Sequence, residues 1–159
     1  MVMLSYKLQV REYYEALGVR YLDLYLRDSV LGYLRAAEAL RTRGLRILDI
    51  GCGVGVGAGL LSGSASRYVC LDIACGVLRY ANSLPGVDVV CADAALLPIR
   101  PGSIDYALLI NVVNAETDGE AILREALSLG ARVYAESPRA LDNELIRYLI
   151  PRVGFNTTN

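Results

Sequence analysis

The sequence has no histidine and no pair of cysteines at CxxC spacing. Without histidine, the Ser-His-Asp and Cys-His arrangements of nucleophilic catalysis are excluded. Without a CxxC pair a zinc site is not expected, and we predict no metal site. The cysteines are interpreted as buried free thiols, and a disulfide is the alternative if the source is a hyperthermophile. They are Cys52, Cys70, Cys75 and Cys91.

The chain also lacks a strong net charge and a long apolar run. Its formal charge is −1, which gives no electrostatic reason to expect nucleic acid or an anionic membrane as a partner. The longest stretch without a charge, residues 50–66, contains six glycines and three serines, so it does not resemble a membrane span. The first eight residues lack the apolar core and the cleavage site of a signal peptide. A cytoplasmic enzyme or binding domain is therefore predicted.

A hydrophobic content of 54% over 159 residues is enough for a domain with its own core. Apolar residues at helical spacing predict a first helix over Glu12–Leu26, and Asp28 and Ser29 are typical of the start of a second helix. Gly44 suits the end of this helical part. We therefore expect residues 1–44 to form a helical segment that packs on a core formed by residues 45–159.

Strands and helices alternate after Gly44. Runs rich in Val, Ile and Leu without polar alternation are typical of strands buried on both faces, and their alternation with helices predicts an α/β fold with a mostly parallel sheet. The predicted strands are Arg46–Ile50, Tyr68–Asp72, Val87–Ala92, Ile104–Ile110 and Arg132–Glu136. The predicted helices are Val56–Ser62, Gly76–Ser83, Gly119–Leu129 and Leu141–Leu149.

The most informative stretch is the run from Arg46 to Gly57, where a short apolar strand passes into a turn with glycine at every second position. Such a turn lets a ligand approach backbone that side chains would otherwise shield, and in an α/β sheet it lies at the edge where ligands bind. Asp49, Asp72 and Asp93 lie in or just after three successive strands, so their carboxylates should converge near the turn. Asp72 follows the turn at the distance typical of an acid that binds ribose hydroxyls.

Four segments in order resemble the motifs of class I S-adenosylmethionine-dependent methyltransferases, most closely the type 11 group that acts on small molecules. Ile47–Gly55 resembles the first motif and Cys70–Ile73 the second. Val90–Ile99 resembles the stretch that ends in Leu-Pro-Phe, and Pro101–Asp105 resembles the opening of the fourth strand. The resemblance extends from Leu45 to Pro138 and implies a Rossmann-like three-layer sandwich preceded by N-terminal helices.

The resemblance also implies S-adenosylmethionine as the cofactor, with S-adenosylhomocysteine as its product. Gly51 and Gly53 would admit the methionine end, and Asp49 would help to position its amino group. Asp72, with Ile73 beside it, would bind the ribose hydroxyls.

The remaining cofactor contacts implied by the resemblance involve the later strands. Asp93 and the backbone N–H of Ala94 would bind adenine, and Asn111 would offer a backbone carbonyl near the methionine. A sulfonium methyl is already activated, so an in-line displacement needs alignment and exclusion of water rather than a protein nucleophile. No catalytic residue is therefore assigned.

The acceptor site is less specific in the sequence. Asn114 and Glu116 follow the fourth predicted strand, without the Asp/Asn-Pro-Pro-Tyr/Phe motif of enzymes that methylate nucleic acid bases or glutamine. Tyr14 and Tyr21 fall where related enzymes place a segment that closes over cofactor and acceptor. Solvated loop residues and packing of the helix on the sheet are the alternative interpretations of these positions.

The family usually ends in a sixth strand and an antiparallel seventh, of which only the entry is similar here, at Leu149–Phe155. The C-terminal hairpin is therefore predicted to be truncated or absent. This would leave a sheet edge exposed, and homodimerisation is one way to cover it.

We interpret the chain as an S-adenosylmethionine-dependent methyltransferase that acts on a small molecule. The alternative is a non-catalytic module that binds S-adenosylmethionine or S-adenosylhomocysteine and acts through a protein partner. A nicotinamide-dependent oxidoreductase fits Gly53, Gly55 and Ala58 as a GxGxxA pattern. It is disfavoured because nicotinamide binding requires neither Asp49 nor the stretch from Asp93 to Pro98.

Overall fold

A computed structural model describes residues 2–41 and 43–151, with side chains from Tyr6 onward. Two helices come first, α1 (Val2–Leu17) and α2 (Tyr21–Leu40), separated by a 3-10 turn at Gly18–Arg20. Strands and helices then alternate as β1 (Arg46–Ile50), α3 (Val56–Leu61), β2 (Arg67–Asp72), α4 (Leu78–Asn82), β3 (Val87–Cys91), β4 (Tyr106–Ile110), α5 (Gly119–Ser128), β5 (Arg132–Glu136) and α6 (Ala140–Leu149). Within the described ranges, none of the helices has the length and apolar character needed to cross a bilayer.

The five strands form one sheet in the order β3-β2-β1-β4-β5, and every neighbouring pair is parallel. This confirms the predicted α/β class with a parallel sheet. Asp49 of β1 lies opposite Cys70 on one side and Leu108 on the other. The strand order reverses between β1 and β4, and at such a switch point a crevice opens at the carboxyl ends of the strands.

Apolar side chains fill both faces of the sheet, which produces three layers. On one face, α5 and α6 contribute buried residues that include Leu123 and Ile146. On the other face, α2, α3 and α4 contribute a second cluster that includes Tyr33, Leu61 and Leu78. Because the central strands are covered on both sides, their sequences are continuously apolar rather than alternating. The predicted three-layer sandwich with N-terminal helices is confirmed.

The predicted boundary between the first two helices was wrong. The first helix ends before Gly18, whose φ of 51° lies in the left-handed region. Helix α2 then runs without interruption through Asp28 and Ser29. Ser29 is buried, and its Oγ lies 2.9 Å from the hydroxyl oxygen of Tyr21. Its side chain therefore serves packing within the helix, where the sequence pattern indicated a cap.

All five predicted strands are present, with ends that differ by at most two residues. The largest shift is in β4, which begins at Tyr106 rather than Ile104. Before it, the Asp105 carboxylate accepts hydrogen bonds from the backbone and the guanidinium of Arg46, which holds the entry to the strand beside β1. The prediction for the C-terminal hairpin lies largely outside the described residues, and the division at Gly44 stays a prediction.

The cysteines fall into two groups. Cys75 and Cys91 are joined by a disulfide, with their Cα atoms 5.1 Å apart, whereas Cys52 and Cys70 are buried free thiols. The interpretation as free thiols was therefore right for one pair and wrong for the other. Cys75 and Cys91 meet because β2 and β3 pair in parallel, with Asp72 opposite Cys91. The bond links the turn after β2 to the last residue of β3.

Replacing both bonded cysteines, Cys75→Ser with Cys91→Ser, should lower the free energy of unfolding by about 3 kcal/mol. The bond closes a loop with a sequence separation of 16 residues, and cross-links of that size restrict the unfolded chain by about this amount. Urea unfolding with and without a dithiol reductant measures the effect. The reductant should destabilise the wild type to the level of the double variant and leave the variant unchanged. A titration that finds four free thiols in the denatured, unreduced protein would contradict the bond.

Candidate functional site

A cleft of about 740 Å³ lies at the carboxyl edge of the sheet, roofed by α1 and the start of α2. It sits at the switch point between β1 and β4, where the topology leads us to expect a ligand site. Eleven of the twelve residues that the sequence singled out line this one cleft. They are Gly51, Gly53, Asp72, Ile73, Asp93, Ala94, Asn111, Tyr14, Tyr21, Asn114 and Glu116. The twelfth, Asp49, does not reach it.

The glycine turn and Asp72 form one hydrogen-bonded unit. Gly53 has a φ of 56°, and a Cβ built there would meet nothing within 4 Å, so its backbone faces open space in the cleft. Its N–H donates to Asp72 Oδ2 over 2.8 Å, and the N–H of Ala74 donates to Oδ1 over 2.8 Å. Burial raises the pKa of Asp72, which these two N–H donors partly oppose. Each carboxylate oxygen keeps a second lone pair, so Asp72 can still accept from two hydroxyls.

Asp93 lies on the far side of the cleft and has two partners. Its Oδ1 accepts from the N–H of Ala95 over 2.9 Å, and its Oδ2 lies 2.6 Å from Nζ of Lys7. Lys7 belongs to α1 and is the only lysine of the chain. Tyr6, its neighbour, lies with its hydroxyl oxygen 3.4 Å from Glu116 Oε2. These contacts hold α1 over the cleft. The sequence did not predict them, because the partners are 86 and 110 residues apart.

The loop after β4 begins at Asn111, which has a φ of 63°. Asparagine is among the few residues that tolerate the left-handed region, and such positions are concentrated at functional sites. The N–H of Asn111 donates to the carbonyl of Glu136 over 2.9 Å. Asn114 Oδ1 accepts from the N–H groups of Glu116 and Thr117, so this side chain shapes the loop itself.

Asp49 lies beneath the glycine turn and is fully buried. Its Oδ1 accepts from the Tyr33 hydroxyl over 2.9 Å, and its Oδ2 accepts from the Tyr68 hydroxyl over 2.8 Å. Burial raises the pKa of Asp49 to about 7, against the two hydroxyl donors, which lower it. A side chain on Gly57 would overlap the Tyr33 ring and lie 2.6 Å from the Tyr68 hydroxyl oxygen, so a glycine is required there.

Four tyrosines gather where α1 meets α2. Ring centroids are 5.2 Å apart for Tyr13 and Tyr14, 6.1 Å for Tyr14 and Tyr21, and 5.0 Å for Tyr21 and Tyr25. All four line the cleft. Burial, followed by the neighbouring tyrosines, raises the pKa of Tyr14 to about 12, and burial also raises the pKa of Tyr21. The Tyr14 and Tyr21 hydroxyls therefore stay protonated at neutral pH and cannot act as general bases there.

Known proteins are similar to this chain over the part that contains the glycine turn, Asp72 and Asp93. A family model described as a methyltransferase domain matches residues 48–130, just over half of the sequence. A phthiotriol/phenolphthiotriol dimycocerosates methyltransferase of Mycobacterium ulcerans is 33% identical over 89 residues, which cover 53% of this chain and 33% of that protein. The biotin biosynthesis bifunctional protein BioHC of Cellvibrio japonicus is 36% identical over 88 residues, 50% of this chain and 18% of that protein. The matched part thus spans a third or less of these curated relatives.

Solved structures show the same fold over more of the chain. The magnesium protoporphyrin IX methyltransferase of Synechocystis, solved with bound S-adenosylmethionine, aligns with a TM-score of 0.69 at 19% identity. The alignment covers 97% of this chain and 88% of that one. A structure of the same enzyme with bound S-adenosylhomocysteine aligns with a TM-score of 0.68. At this level of identity, the likeness establishes the fold.

Asp49→Asn should remove a pH dependence of stability. Because the pKa of Asp49 is raised from its unfolded value of about 4, the folded state holds a proton that the unfolded state releases, and its stabilising effect is lost as the pH rises through 7. Between pH 5 and pH 8 the wild type should lose on the order of 3 kcal/mol relative to the variant. Urea unfolding at pH 5, 6, 7 and 8 measures both proteins. Parallel stability curves would refute the assignment, because the Asp49 carboxyl is the titrating group that the variant lacks.

Proposed function

The chain belongs to the methyltransferase-domain family, and we propose that it transfers a methyl group from S-adenosylmethionine to a small-molecule acceptor. The observation that carries the proposal is the meeting of the glycine turn, Asp72 and Asp93 in one cleft at the switch point of the sheet. The cofactor supplies a methyl group already activated on a sulfonium, which an acceptor attacks in line. What the protein must supply is binding, alignment and exclusion of water.

The residues of the cleft fit the parts of the cofactor. The open backbone at Gly53 leaves room that any side chain would fill, which suits the methionine end next to Gly51. The two oxygens of Asp72, each already oriented by one backbone N–H, bind the ribose hydroxyls, with Ile73 alongside. Asp93 and the N–H of Ala94 bind adenine on the far side of the cleft.

Two of the predicted residues contribute to the site without a side-chain contact to the cofactor. Asn111 turns the chain after β4 so that its backbone borders the methionine end. Asp49 is an indirect contributor, because both of its oxygens are occupied by tyrosine hydroxyls below the turn. We propose that it fixes the position of the turn, in place of the direct contact with the amino group that the resemblance implied.

The acceptor binds between the tyrosine cluster and the loop after β4. Tyr14 and Tyr21 border the cleft from the helices, and Asn114 and Glu116 border it from the loop. No catalytic base is assigned. The Tyr14 and Tyr21 hydroxyls are protonated at neutral pH, and a base is needed only for an acceptor that must lose a proton. A cytoplasmic location and a homodimer stay predictions. Turnover of an acceptor distinguishes this enzyme from a module that only binds the cofactor.

S-adenosylhomocysteine should bind and raise the melting temperature, because it binds the folded state alone. Asp72→Ala should weaken this binding by about 1–3 kcal/mol through loss of charged hydrogen bonds. Asp88→Ala is the matched control, since Asp88 is an exposed acid on β3 that pairs with Arg67 and does not line the cleft. Isothermal titration calorimetry of the three proteins measures the effect.

Two results would contradict the proposed function at different levels. No thermal shift at millimolar S-adenosylhomocysteine would exclude the cofactor. An equal affinity for the Asp72→Ala and Asp88→Ala variants would leave the cofactor in place and show that the ribose partner is wrongly assigned.

A further inference from the structure

One face of α2 presents two aromatic rings and a carboxylate to the cleft. Tyr21, Tyr25 and Asp28 are spaced by four and three residues, so they lie on the same side of the helix. The rings of Tyr21 and Tyr25 have centroids 5.0 Å apart at an interplanar angle of 37°. Tyr13 and Tyr14 extend this surface from α1. The faces of electron-rich rings attract organic cations, and a carboxylate beside them adds its charge.

The charge of the cleft favours the same class of ligand. Among the described residues that line it, six are acids and two are basic. Both basic side chains are already paired, Lys7 with Asp93 over 2.6 Å and Arg139 with Asp142 over 2.9 Å. Asp28 and Glu116 are not among the proposed cofactor contacts, and neither pairs with these two cations. The excess of negative charge attracts cations and disfavours anionic acceptors.

We propose that the acceptor site binds a small organic cation, an amine carried on an apolar body. The cation would lie over the rings of Tyr21 and Tyr25 and beside Asp28. The rings contribute the attraction of their faces to the cation, and the carboxylate contributes its charge. Raised pKa values keep the Tyr14 and Tyr21 hydroxyls protonated, so these rings bear no charge at neutral pH. The assignment names the substrate class of the proposed methyl transfer and therefore depends on that function. For the amine nitrogen to be the methyl acceptor, the bound ammonium would first release its proton to water at the exposed border of the cleft beside Tyr25 and Asp28. The freed lone pair would then form the N–C bond as the bond between the methyl group and sulfur breaks, and S-adenosylhomocysteine would be released.

The test compares three probes that share a phenyl body and differ in charge: 2-phenylethylamine, 2-phenylethanol and 3-phenylpropanoate. Each is titrated into the full chain saturated with S-adenosylhomocysteine, and binding is followed by ligand-observed NMR. The amine should bind most tightly, its affinity should fall with added salt, and the carboxylate should bind most weakly. If the amine does not bind, or binds no more tightly than the alcohol, the proposal is overturned.

Matched variants locate the binding surface. Asp28→Asn should weaken amine binding by about two- to fivefold, the effect of an exposed charge, while Asp23→Asn on the same helix, exposed and outside the cleft, should not. Tyr25→Leu should also weaken amine binding by about two- to fivefold, and Tyr25→Phe should retain it, because Phe keeps the aromatic face. Equal losses for Leu and Phe would exclude recognition by the ring.

Two further outcomes separate this inference from the proposed function. If S-adenosylhomocysteine itself does not bind the wild type, the proposed function fails first. If Tyr25→Leu weakens S-adenosylmethionine but not S-adenosylhomocysteine, the ring recognises the sulfonium of the donor, and the acceptor assignment is overturned while the methyltransferase assignment stands.

Discussion

The structure depends on one buried carboxylate that two tyrosines hold below the glycine turn. Asp49 lies in the central strand of the sheet, and an ionised carboxylate there without partners would be very costly. The hydroxyls of Tyr33 and Tyr68 satisfy it, one from α2 and the other from β2. Through this group α2 and the first two strands are joined, and Gly57 at the start of α3 packs against both tyrosines. The polar atoms beneath the glycine turn are thus paired, which holds the turn in place.

Above this anchor, two of the acids that line the cleft are oriented by their own turns. Asp72 and Asp93 each accept a hydrogen bond from a backbone N–H two residues further along the chain. The disulfide links the turn after Asp72 to Cys91 at the end of β3, two residues before Asp93. The carboxylates are thus held in place by covalent and backbone contacts, and little conformational freedom remains to be lost when a ligand binds.

The sequence predicted the sheet and most of the cleft because both follow from local patterns. Apolar runs identified every strand, and strand ends at one edge bring Asp72, Asp93 and Asn111 together whatever the details of packing. Contacts between distant segments were not predictable. The ion pair of Lys7 with Asp93 and the bond of Tyr33 to Asp49 depend on how α1 and α2 fold back over the sheet. The disulfide depends on the pairing of β2 with β3. The same limitation explains the misplaced start of α2, since the left-handed turn at Gly18 has no strong local signal beyond the glycine.

The two halves of α2 contribute to different parts of the structure. Its second half places Tyr33 and Ala36 in the core, where substitutions disturb the anchor. Its first half presents Tyr25 and Asp28 at a partly exposed border of the cleft. Substitutions of Tyr25 and Asp28 should therefore leave the folding core intact, while substitutions of Tyr33 and Ala36 should not. Such a division lets evolution, or an engineer, vary ligand preference one surface residue at a time on a scaffold whose stability is set elsewhere.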